Sequence, residues 1–157
     1  MVCTCADILQ DLNSQSKLRT YKSYKFQYGK ELYLTINLTR SQRSQLARLR
    51  SCTLPLKVET GRFTQIPYEQ RLCTFCDQEA VEDEEHLVFA CPFYITGRLL
   101  FYIDIFSTVP GFLDLSSSGE WNMIFSNAII LKRFSIFLSS ALSKRMNRLY
   151  ECNDANK

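Results

Sequence analysis

Four side chains within 19 residues have the types and spacing of a metal site, Cys73-x2-Cys76-x9-His86-x4-Cys91. Two thiolates separated by two residues converge from one tight turn, and His86 and Cys91 complete a tetrahedron from the helix or loop that follows. Zinc suits this set because it accepts sulfur and imidazole nitrogen without redox chemistry. Iron accepts the same donors, so the choice of zinc rests on ligand chemistry. Four protein ligands leave no open position for water, and the expectation is one structural Zn2+ ion that cross-links the chain. A thioredoxin-like redox pair has the same CxxC spacing but needs a strand before it and a helix after it, whereas "DQEAVEDEE" is an acidic connection. Incidental cysteines beside a satisfied histidine are the bland alternative, and four compatible ligands in so short a stretch weigh against it.

Other chemistry is sparse. His86 is the only imidazole, and as a ligand it is lost to any nucleophile triad or acid–base role. The run Glu82, Asp83, Glu84 and Glu85 has too many adjacent acids to converge on one substrate. Its simpler roles are to favour the N-terminal end of a helix carrying His86, to lie on a solvated face, or to orient the imidazole. No HExxH zinc motif, dinucleotide fingerprint or phosphate loop is present. No catalytic residue is assigned, and the chain reads as a non-enzyme.

The elements that must position these ligands are helical, so the expected fold class is mostly α: a small zinc-stabilised helical domain with a knuckle of three cysteines and one histidine, and a long C-terminal helical region. In "TRSQRSQLARLRSCTLP", Thr39 and Gln42 have the spacing of a capping box, and Leu46 and Leu49 share a helix face. Proline at 55 argues against continuing that helix. Residues 56–67 read as a turn-rich connection with a reversal at Gly61, where glycine tolerates a left-handed conformation. A short helix is expected near His86, with Val81, Leu87, Val88 and Phe89 as apolar contacts and Phe93 and Tyr94 as an aromatic lid. Residues 97–106 are apolar and read as helix or strand. Ser117 and Glu120 have capping-box spacing, and Trp121, Ile124, Phe125, Ala128, Leu131, Phe134, Leu138, Ala141 and Leu142 follow a period near 3.6, predicting one long helix or two. Near the N-terminus, Ala6–Leu12 fits one short helix, and Tyr21, Tyr24 and Tyr28 fit a helix face stopped at Gly29.

These elements divide the chain into a basic and aromatic N-terminal segment at 1–37, the zinc-binding region at 38–98, an apolar linker at 99–115 and a C-terminal helical region at 116–151. Charge is segregated along it. Residues 1–72 carry 12 Lys and Arg against 5 Asp and Glu, residues 73–120 carry 1 against 9, and residues 121–157 carry 6 against 2. The most apolar stretch, 121–142, is interrupted by Lys132 and Arg133 and falls short of the roughly 20 residues of a membrane span. Seven cysteines, an odd number, without a signal-peptide pattern at the start point to reduced thiols and metal ligands in an intracellular protein, nuclear or cytoplasmic.

"LARLRSCTLPLKVETGR" followed by "YEQRLCTFCDQEAVEDEEHLVFACPFY" resembles the zinc-binding region near the C-terminal end of non-LTR retrotransposon reverse-transcriptase polyproteins. The likeness lies in Leu46, Leu49, Arg50, Thr60, Gly61, Arg62, Arg71, Cys73, Cys76, Glu82, Asp83, Glu84, His86, Cys91, Pro92 and Tyr94, and it spans roughly residues 38–98. It implies the tail of an element-encoded polyprotein that accompanies reverse transcription and nucleic-acid handling, kept as a fragment, a remnant or a reused domain. Polymerase activity is not implied, because the palm domain with its aspartates is absent. Two functional classes follow. In the first, the module associates with RNA or DNA, with Arg43, Arg48, Arg50, Arg62 and Arg71 as candidate phosphate contacts. In the second, the apolar surface of the C-terminal helix at 121–142 captures a protein partner or a second copy.

Overall fold

The computed structural model describes residues 18–25 and 29–154. The segment Ala6–Leu12, the position of Tyr28, and Cys3 and Cys5 lie outside the described residues. The fold is mostly helical. Its helices are Arg19–Tyr24 (α1), Arg40–Arg50 (α2), Lys57–Phe63 (α3), Ile95–Phe106 (α4), Ser117–Ser126 (α5) and Ala128–Asp154 (α6). Short 3-10 turns occur at Leu32–Leu34, Tyr68–Gln70, Pro92–Tyr94 and Phe112–Asp114, and a π turn at His86–Ala90. Among the described residues there is no strand, only an isolated antiparallel bridge between Leu72 and Val81.

The axis of the molecule is α6, 27 residues and therefore about 40 Å long. Helices α2, α4 and α5 pack against it, and α1 closes over α2 and α5. The expected periodic run is thus two helices, broken at Asn127. Its extended backbone ends α5, and its side-chain oxygen accepts from the N–H groups of Ile129 (2.9 Å) and Ile130 (3.2 Å), capping α6. Trp121, Ile124, Ile130, Leu131, Phe134, Phe137, Leu138 and Ala141 are buried in the core, where the Phe101 ring stacks on Phe137 at 5.7 Å. Phe134 and Leu138 are wholly buried. The part of the expected partner surface around Phe134 and Leu138 is therefore core covered by three helices, while Ile129 and Ile136 stay exposed.

The capping box of α2 is complete, with Gln42 N–H donating to the Thr39 hydroxyl (3.2 Å) and Thr39 N–H to the Gln42 amide oxygen (2.9 Å). Its C-terminal end closes through Thr53 N–H to Arg48 O (2.8 Å) and Cys52 N–H to Leu49 O (3.1 Å), around Cys52 at φ 51. This is the Schellman arrangement, with a buried cysteine in the position glycine usually takes.

Two local expectations are corrected. Residues 57–63 are helix rather than turn, and Gly61 lies inside α3 without a positive φ. Gly61 is needed for space, since a Cβ there would stand 2.8 Å from Cγ of Arg71. The reversal falls instead at Gln65, with φ 56. The cap of α5 is Ser116, whose hydroxyl accepts from Gly119 N–H, and Glu120 is not part of a capping box with Ser117. Residues 95–106, which include the start of the stretch read as a linker, are helical and packed on α6.

Candidate metal centre

Two small devices bring the four ligands together. The first is a tight hairpin in which Cys73 N–H donates to Ala80 O (2.8 Å) and Glu82 N–H to Arg71 O (2.9 Å). Cys73 and Cys76 lie in its loop, which turns back through Glu79 at φ 50. The second is the π turn, closed by Cys91 N–H donating to His86 O at 2.7 Å. An i to i+5 closure sets residues 86 and 91 next to each other, so the x4 spacing of the sequence becomes adjacency in space. Asp83 starts this turn, its carboxylate accepting from His86 N–H at 2.9 Å. It thus serves as the helix-start acid the sequence suggested.

One ligand atom from each of Cys73, Cys76, His86 and Cys91 lies within 4.8 Å of all the others. The Cys73 and Cys91 sulfurs are 3.9 Å apart, and the Cys76 sulfur is 3.3 Å from His86 Nε2. The edges of a zinc tetrahedron are about 3.8 Å between sulfurs and about 3.5 Å between sulfur and nitrogen, given the usual bond lengths. The cluster is therefore of the right size to hold one metal ion. Cys73, His86 and Cys91 are buried and Cys76 is half-buried. Phe75 N–H points at the Cys73 sulfur at 3.4 Å.

Burial governs the protonation of Cys73, Cys91 and His86. Burial pushes the Cys73 thiol up to about 12 and raises that of Cys91, so without a cation neither carries the thiolate charge at neutral pH. Burial also lowers His86, against the upward pull of Asp83 and Glu82, and keeps its imidazole neutral and able to bind metal. The hydroxyl of Tyr94 is buried with no hydrogen-bond partner, and its pKa is raised by burial first and then by Glu82 and the nearby cysteines.

The acidic run is not a solvated face. Glu82 is 1% exposed and Glu84 is fully buried. Glu82 accepts two hydrogen bonds from Arg145 of α6 (2.7 and 3.0 Å) and one from Lys57 N–H at the start of α3 (2.8 Å). The Arg145 guanidinium also lies over the Phe75 ring at 5.3 Å. Glu84 accepts from the Thr20 hydroxyl. Sequence reasoning missed Arg145 as a support of the site, and it missed Arg98, which reaches from α4 to the carbonyls of Val88 and Cys91 (2.7 Å each). The available signal was an arginine inside an otherwise apolar helical run.

The five arginines proposed as phosphate contacts are distributed differently. Arg50 donates to the hydroxyls of Tyr21 and Tyr33 and stacks on the Tyr21 ring at 4.4 Å. Arg71 donates to Ile66 O and Val58 O, and Arg62 pairs with Glu59 at 3.0 Å. Arg43 and Arg48 are exposed on α2 and hold only the carbonyls of Leu38 and Thr53. The site does not bring these five together.

No single helix among the described residues is long and apolar enough to cross a membrane, and α5 with α6 meets the length and hydropathy only across a 108° bend. No family model, curated protein or solved structure matches the chain.

Proposed function

We propose that the chain is a non-catalytic module held by one structural zinc ion and associated with nucleic acid, a fragment or remnant of a polyprotein like those of non-LTR retrotransposons. The observation that carries this reading is the four-ligand cluster of Cys73, Cys76, His86 and Cys91 at tetrahedral separations. A set closed by four protein ligands has no position for a reacting water, and it takes the single imidazole of the chain. The nucleic-acid part is supported by Arg43 and Arg48, which are exposed on different sides of α2 and keep free donors. Native mass spectrometry of wild type and of a Cys73→Ser, Cys76→Ser variant tests the metal directly. One zinc in wild type and none in the variant is the expected result. Iron in its place, or a folded wild type without metal, overturns the reading.

A second reading, self-association, is favoured by an apolar face on α4. Ile95, Leu99, Leu100, Ile103 and Phe106 are 50–69% exposed and lie along adjoining helical rows. Ile129 and Ile136 of α6 continue the face on either side of Arg133, which pairs with Asp104 of α4 at 3.6 Å. Seven large side chains at this exposure present on the order of 800 Å², the share each partner gives to a standard interface. A second copy of this chain, related by a two-fold axis, is the occupant that meets this area with a matching patch.

A further inference from the structure

Two arginines are buried beside the ligand cluster, and they differ in what they face. Arg145, 4% exposed, meets the carboxylate of Glu82. Arg98, 6% exposed, meets only neutral carbonyls: Nε donates to Val88 O at 2.7 Å, and Nη2 to Cys91 O at 2.7 Å and Leu87 O at 3.4 Å. No carboxylate among the described residues lies within 4.0 Å of its guanidinium. A buried cation without an anion is costly, and natural folds pair such charges. The carboxylate that acts on it through space is Glu120, which burial and Glu85 push up to about 7, so it is itself only partly charged at neutral pH.

Arg98 holds the backbone of Cys91, one of the four clustered residues, and the Cys91 thiol group acts on its guanidinium through space. Three thiolates and a neutral imidazole around a divalent ion leave the centre with a net charge of about −1. We infer that Arg98 is the buried counter-cation of the metal–thiolate centre, a positioning residue that clamps the backbone of Cys91 and offsets the centre's surplus charge. The inference rests on the metal reading given above. It assigns two separable parts to one side chain. The donor fork fixes the carbonyls at the end of the π turn, and the charge favours a ligand set of three thiolates over one that is neutral overall.

A merely geometric clamp and a counter-charge differ in their response when the charge of the centre is changed. The experiment is a double-mutant cycle on the full chain, with zinc dissociation constants read by competition with a chromophoric chelator. Arg98→Gln keeps hydrogen-bonding capacity without charge, and Arg98→Lys keeps charge without the fork. Each is measured in wild type and in a Cys76→His background, where the zinc centre is neutral. The expected loss for Arg98→Gln is about 10–100-fold with three thiolates, the usual range for groups supporting metal ligands. In the Cys76→His background the loss shrinks to a few-fold, and Arg98→Lys stays close to wild type when three thiolates are present.

Equal losses in both backgrounds overturn the counter-charge and leave the clamp, with the metal reading intact. A folded wild type that takes no zinc overturns the metal reading and the inference with it. If Cys76→His binds no metal, cobalt substitution decides. Removing a nearby positive charge makes the thiolates better electron donors, so the sulfur-to-cobalt band moves to longer wavelength in Arg98→Gln and not in Arg98→Lys. The same band position in all three proteins overturns the inference.

Discussion

Glu82 joins three parts of the molecule through one carboxylate. Its backbone N–H completes the hairpin that carries Cys73, its carbonyl accepts from Val58 N–H, and its side chain takes Arg145 from α6 and Lys57 N–H from α3. Both members of the Glu82 and Arg145 pair are almost wholly buried. Removing one partner leaves the other charge in a medium that cannot solvate it. Arg145→Ala is therefore expected to destabilise the zinc-loaded protein by about 3–5 kcal/mol, read from the urea midpoint. A loss under about 1 kcal/mol, the range of exposed pairs, would show that water reaches the pair and that it holds nothing. The two residues are 63 positions apart, and an acid within an acidic run gives no sign of its partner. The clustering of Cys73, Cys76, His86 and Cys91, by contrast, was legible because it follows locally from residue type and spacing.

Helices were recognisable in the sequence where one face differed from the other. Thr39 with Gln42, followed by Leu46 and Leu49, marked α2 because cap and stripe are both local signals. The α3 segment was misread because Gly61 is a turn residue by propensity, while its actual constraint is the Arg71 side chain beside it. In α4 the sequence offered apolar residues on every side, and only packing distinguishes them: Phe101 and Ile105 turn inward to the core, and Leu99 and Ile103 turn out. The outward row is the face proposed above to meet a second copy. Size-exclusion chromatography with light scattering is expected to show wild type passing from monomer to dimer as concentration rises. Leu99→Glu with Ile103→Glu is expected to weaken that equilibrium at least about tenfold while leaving thermal stability unchanged, since both positions are more than half exposed. A wild type that stays monomeric throughout would remove self-association as the use of this face.

At the scale of the whole chain, the basic C-terminal part meets the acidic middle at two pairs among the described residues, Arg145 with Glu82 and Arg133 with Asp104, while Lys25 and Arg50 close on Glu31 within the basic N-terminal part. What remains outward on α2 includes Arg43 and Arg48, so binding to a polyanion is expected to depend on these and not on Arg50, which holds Tyr21 and Tyr33. Replacing Arg43 and Arg48 together with Ala is expected to reduce the salt slope of binding by about 1.8 for duplex DNA or about 1.4 for a single strand. An unchanged slope, or no binding at 50 mM salt, would detach nucleic acid from this helix. The Cys and His spacing located the centre without revealing how far its support extends. A piece cut at residue 98, where the resemblance read from the sequence ends, keeps all four residues of the cluster but loses most of α4, all of α5 and α6, and the one guanidinium among the described residues that meets Glu82. The unit that folds is longer than the motif, and expression boundaries drawn around the cysteines would separate the four-residue cluster from the helix that braces it.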